Sequence, residues 1–173
     1  MNFLKTFLIS LVTYLGLNTI FMLVAMFTVP GYPATDVWYV VVSIFAPIAT
    51  SPGTAWVGSG IVPLLTTTNL LTDLMLFLSL IVPPLVALIV AAFIGDNNFT
   101  GFSAWFLTAF VSCCLYALFL GIGQVTSSYL YLVWLDLITS YGYIGGIINI
   151  IMTGIVNGFF YGCICILITK KFL

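Results

Sequence analysis

Polar residues are so sparse in this chain that they act as punctuation between long apolar blocks. Four blocks, at residues 3–29, 69–94, 101–123 and 146–169, each exceed the roughly 20 apolar residues that a helix needs to cross a bilayer. Three of them end at recognisable breakers. Pro30, Gly31 and Pro33 close the first, and Gly95, Asp96, Asn97 and Asn98 form a polar turn after the second. Gly121 and Gly123, followed by the polar residues 124–128, end the third. The first block is too long for the apolar core of a signal peptide and lacks a small-residue cleavage site near Val29, so it is expected to stay as a membrane helix.

The two connecting regions, 31–68 and 124–145, are not ordinary loops. They contain "VWYVVVSIFAPIA" and "YLYLVWLDLI", apolar but short for a full span. Tyr32, Trp38, Tyr39 and Trp56 gather in one, and Tyr129, Tyr131, Trp134, Tyr141 and Tyr143 in the other. Tryptophan and tyrosine favour the membrane–water interface, so both runs read as interfacial or re-entrant segments. The pattern predicts an all-α polytopic integral membrane protein. It would have four transmembrane helices and two aromatic-rich interfacial or re-entrant segments on the outer side, with six spans as the alternative. Residues 1–173 form one membrane domain. The order helix, aromatic segment with an aspartate, helix occurs twice, suggesting a weak parallel duplication of 1–95 and 96–173.

Orientation follows the lysines. Lys5 precedes the body of the first helix and Lys170 and Lys171 follow the last, so with four spans all three share one side. Positive charge favours the cytoplasm, which predicts a multi-pass cell-membrane protein with both termini cytoplasmic. The glycosylation-type triplet Asn98, Phe99, Thr100 would then lie in a cytoplasmic turn and go unused.

Composition narrows the chemistry. The chain is 63% hydrophobic and 4% charged, where a soluble domain carries about 25% charged residues. Most of its surface must therefore face lipid or other protein. Histidine, arginine and glutamate are absent, which removes the usual general base, the anion clamp and most metal-ligand sets. The sequence gives no sign of catalytic residues, a metal or a cofactor. Without a basic patch, nucleic acid is not an expected partner. Cys113, Cys114, Cys163 and Cys165 sit inside apolar runs without zinc spacing and read as small hydrophobes.

Small residues recur at helix-packing intervals. Gly154, Gly158 and Gly162 stand four apart in the fourth block, beside Asn149, Thr153 and Asn157. The third block carries Ala109, Cys113, Ala117 and Gly121, with Ser112 beside them. In lipid, association comes from close backbone approach and interhelical hydrogen bonds, so these two rows are expected to pack together, with oligomer contact as the rival.

The first block has a polar row of its own, Thr6, Ser10, Tyr14 and Asn18. Asn18, Asn149 and Asn157 are candidates for a polar pathway, with interhelical hydrogen bonding the favoured reading; Asn18 and Asn157 fall mid-helix, where a lone amide would be costly in lipid, so each is expected to face protein or water. Asp73 and Asp136 are candidates for ion or proton coupling, because an intramembrane carboxylate needs a reason. For Asp73 the plainer expectation is a place near the positive start of a helix capped by Thr68 or Asn69. Asp136 is expected to face water, and Asp36 to cap a turn. Pro83 and Pro84 predict a kink. Residues 46–60, "APIATSPGTAWVGSG", are the best candidate for a selectivity or gating element, provided they are buried in protein or line water, and equally fit an outer cap.

Three functions fit in decreasing order: a non-catalytic accessory or structural subunit of a larger membrane complex, a small-solute or ion transporter or channel, and a membrane-embedded enzyme. The expected partners are the lipid bilayer and other membrane subunits or further copies of the chain.

Overall fold

A computed structural model describes residues 3–66 and 69–172, with side chains given up to Thr169. Thr68 and the side chains of Lys170 and Lys171 thus lie outside the described set. Every regular element among the described residues is helical. Helix α1 spans Phe3–Thr28. Helix α2, Val37–Phe45, tightens into a 3₁₀ turn over Ala46–Ala49. A π-helical stretch, Thr54–Ile61, then runs into the short α3, Val62–Thr66. Helices α4 (Leu70–Ile94), α5 (Asn98–Gly123) and α6 (Ser128–Phe172) complete the chain. Helices α1, α4, α5 and α6 are long and apolar enough to cross a membrane. Residues 37–49 and 54–66 form a bent pair that would make a fifth span if counted as one.

Helix α1 shows which way the bundle faces. Its buried residues are Thr6, Ser10, Tyr14, Asn18 and Met22, while Leu4, Leu8, Val12, Ile20, Leu23 and Phe27 are exposed. Polar groups point in and apolar groups out, the reverse of a water-soluble helix. A four-residue step advances about 40° around the helix, so the buried row spirals and meets several neighbours. Ser10 donates to the Ala87 carbonyl of α4 (3.3 Å), Tyr14 meets Trp105 of α5 edge-on, and Asn18 reaches α2.

Chain directions follow from paired residues. Ser10 meets Ala87, and Met22 shares a cavity with Leu76, so α1 and α4 are antiparallel. The bent pair therefore leaves α1 and joins α4 at one end of the bundle, and its halves diverge by 114°. Gly154, Gly158 and Gly162 face Cys113, Phe106 and Phe102 in turn, which makes α5 and α6 antiparallel as well.

Two further features concern the breakers. The apolar block at 146–169 belongs to a longer element, because residues 128–141 are helical too. The chain folds back between them at Gly142, whose φ of 72° is open to glycine at little cost. The Trp134 and Tyr143 rings lie 6.1 Å apart, whereas nine residues of continuous helix would separate them by about 13.5 Å. In addition, α4 stays helical through both Pro83 and Pro84, which are buried.

A methyl group on Gly154 would lie 2.7 Å from the Cys113 Cβ, whereas one on Gly121 would meet nothing within 4 Å. Gly154→Ala is therefore expected to cost about 1–3 kcal/mol through overpacking, and Gly121→Ala to cost nothing. Thermal melts of the purified variants in detergent check this; equal melting temperatures would place the Gly154 face in open lipid.

Candidate functional site

The site grows from the place where the bent pair stops being helical. Asp36 caps α2 by accepting the Tyr39 amide (3.0 Å). Eleven residues later Pro47, which has no N–H, ends the regular ladder, and Thr50 is extended (φ −95°, ψ 127°). The second half restarts at Ser51. Its carbonyl accepts the Ala55 amide, its hydroxyl accepts the Thr54 amide, and Pro52 occupies the first helical position. Between the halves, backbone carbonyls are left without helical partners.

Side chains from three helices supply the missing donors. Asn18 Nδ2 of α1 donates to the Ile44 carbonyl at 2.7 Å. Asn157 Nδ2 of α6 donates to Ile48 at 2.8 Å and Thr50 at 2.9 Å. Cys113 Sγ of α5 donates to the same Ile48 carbonyl at 3.3 Å. Because every partner is a carbonyl, only the NH₂ end of each amide can face it. Asn18 and Asn157 are each 2% exposed and lie among protein groups. Trp105 Nε1 of α5 donates to the Asn157 carbonyl (3.4 Å), and Trp56 Nε1 of the π-helix donates to the Tyr161 hydroxyl (3.1 Å). The Tyr14 hydroxyl lies beside the Asn18 side chain and the Ile48 backbone without hydrogen-bond geometry to either.

A cavity of about 340 Å³ opens beside this bend, between α1, α2, α4 and the π-helix. Asn18, Tyr32, Ser43, Thr50, Ser59 and Ser79 supply its polar groups, and no charged residue among those described lines it. Asn18 Oδ1 and the Tyr32 hydroxyl are buried without a hydrogen-bond partner among the described residues. Burial pushes the Tyr32 hydroxyl above the ordinary tyrosine range, so it stays neutral. Ser79 and Leu80 also line the cavity. Their carbonyls lose helical donors because the residues four further on are Pro83 and Pro84.

The other sequence candidates scatter. Asn149 is half-buried, its backbone carbonyl accepts the Thr153 hydroxyl, and no hydrogen bond among the described residues joins it to Asn18 or Asn157. Asp73 lies half-buried in the first turn of α4, behind Asn69 at the cap position, whose side chain makes no capping bond. Asp136 is exposed on the 128–141 segment. Ala109 and Cys113 lie against Gly154, whereas Ala117 and Gly121 line a second, apolar cavity of about 410 Å³ with Trp134, Ile147 and Ile151.

Ser127 is a residue that sequence reasoning passed over. Its hydroxyl donates to Asp36 Oδ2 (2.5 Å) while accepting the Leu130 amide (3.1 Å), so one carboxylate ties the start of α2 to the start of α6. A serine just before an apolar run was the available signal. The Ser127 bond, helped by the Tyr39 and Trp38 amides, holds the Asp36 carboxyl below the usual carboxylate range. The chain matches no known protein family, no curated protein and no solved structure.

Asn157→Leu leaves the Ile48 carbonyl with the weak thiol donor alone and the Thr50 carbonyl with none. The expected loss is about 2 kcal/mol or more in a detergent melt, against little change for Asn149→Leu; equal effects would remove the bend as the reason for Asn157. Asp36 has a lowered folded pKa, so its contribution is present above the unfolded carboxylate value and is lost as pH falls through the folded one. The melting temperature should fall on acidification below about pH 4, and Asp36→Asn should flatten that fall.

Proposed function

We propose that this chain is a multi-pass membrane protein that provides a pathway for small solutes, with residues 37–66 dipping into the bilayer as a re-entrant pair. In this reading α1, α4, α5 and the 143–172 part of α6 are the spans, and the bent pair enters from the outer side. The termini and the three lysines are cytoplasmic. One observation carries the reading. Irregular backbone at the depth of mid-helix residues Asn18 and Asn157 is hydrogen-bonded by side chains from three helices, beside a mainly apolar cavity that Asn18, Tyr32 and several hydroxyl side chains stud with polar groups. Non-helical backbone at membrane depth is tolerated where it is buried in protein or lines a watery space, and it recurs where solutes cross. The eight-residue π-helix on the cavity wall adds to this, since π geometry is rare and gathers at functional sites.

The accessory-subunit reading, first in line from composition, has one structural observation in its favour. Ala117 and Gly121 leave the second cavity unfilled by the chain's own helices, and small-residue faces accept a neighbouring helix.

Reconstitution separates the two. The pathway reading expects a native detergent particle of this chain alone and solute flux above that of protein-free liposomes. Asp73→Asn and Asp136→Asn should leave that flux unchanged, because neither residue lines the cavity. A particle carrying stoichiometric foreign subunits, with no flux from the isolated chain, would replace the pathway reading with the subunit one.

A further inference from the structure

From the groups lining the cavity beside the bend, we infer that it takes a small uncharged solute rich in hydrogen-bond donors, recognised through Asn18 and Tyr32. This rests on the pathway reading and adds the class of solute.

Charge comes first. No lysine or aspartate among the described residues lines the cavity. A net charge placed there would lose its water without a counter-charge, which is costly in a low-dielectric interior. Size comes second. A bare monovalent cation needs a tight shell of oxygens, whereas about 340 Å³ holds on the order of ten water-sized groups at roughly 30 Å³ each. The space suits a compact organic solute of up to about ten non-hydrogen atoms.

Hydrogen-bond character comes third. One of the two Asn18 amide hydrogens is engaged by the Ile44 carbonyl, and its acceptor Oδ1 is buried with no partner among the described residues. The Ser43 hydroxyl hydrogen is engaged by Tyr39, and that of Ser79 by Leu76. Those oxygens keep only lone pairs for a ligand. Pro83 and Pro84 withhold the amide hydrogens that would otherwise occupy the Ser79 and Leu80 carbonyls. The fixed groups are therefore acceptors, and the remaining donors are rotatable hydroxyls such as those of Tyr32, Thr50 and Ser59. A polyol complements both kinds. Its hydroxyls donate to the fixed carbonyl oxygens and accept from the rotatable hydroxyls, while its carbon chain lies against Phe21 and Met22.

The test uses the full chain in liposomes with glycerol and erythritol as probes, and with sodium acetate, sodium chloride and potassium chloride for comparison. Glycerol permeability should exceed that of protein-free liposomes, with the salts at background. Asn18→Leu should lose the glycerol flux, but it also breaks the Ile44 bond. Ala25→Phe is the cleaner variant, because Ala25 lines the cavity and makes no side-chain hydrogen bond. It should keep the wild-type melting temperature and lose glycerol flux. Salt flux without glycerol flux would overturn this inference and leave the pathway reading standing. Glycerol flux undiminished in folded Ala25→Phe would place the route elsewhere and overturn it too. Absence of all flux from a folded, monodisperse particle would remove both readings together.

Discussion

Carbonyl oxygens without helical donors, buried in the middle of an apolar bundle, are the constraint on which the rest of this structure depends. Helix α2 cannot continue past Pro47, and the second half cannot begin before Ser51. Between them, Ile48 and Thr50 present oxygens that neither lipid nor apolar side chains can satisfy. Asn157 answers two of these bonds with one NH₂ group, Cys113 reinforces one, and Asn18 answers Ile44 a turn earlier. Donors from three different helices converge on a few residues of backbone, so the bend and the bundle must form together.

The glycine row has its place in that arrangement. Gly154 and Gly158 flank Asn157 along α6, and they let α6 approach Cys113 and Phe106 until a methyl group would not fit. The close approach keeps Asn157 within reach of Ile48 and of the Trp105 indole, which donates to its carbonyl. Further along, the helices separate around Ala117 and Gly121, and Trp134 from the folded-back 128–141 segment fills only part of the gap. The same small residues thus serve close packing over one stretch of the pair and leave a groove over the other.

At the end of the bundle where α1 meets α2, Asp36 and Ser127 hold the starts of α2 and α6 together. Below them the cavity wall runs from Tyr32 to Thr50, bounded on the α4 side by the turn that Pro83 and Pro84 deprive of donors. The prolines, expected to mark a kink, matter here chiefly as missing N–H groups. Proline in a buried helix changes the hydrogen-bond capacity of the preceding turn whether or not the axis bends.

The long apolar blocks, the near absence of charge and the lack of histidine, arginine and glutamate were legible in the sequence, because hydropathy and composition are local properties. So were the breakers and the inward polar row of α1. Four-residue spacing shows that Thr6, Ser10, Tyr14 and Asn18 form one stripe, but which neighbour each meets depends on how the other helices wrap it. Tertiary structure alone decided that Asn18 and Asn157 serve the same bend while Asn149 does not. It alone showed that the glycine row meets phenylalanines as well as Cys113, and that residues 128–141 fold back at Gly142. Hydrogen bonds such as Asn157 to Ile48 join positions 109 residues apart. No periodicity in a sequence encodes which distant carbonyl will lack a donor, because that lack exists only once the chain has bent.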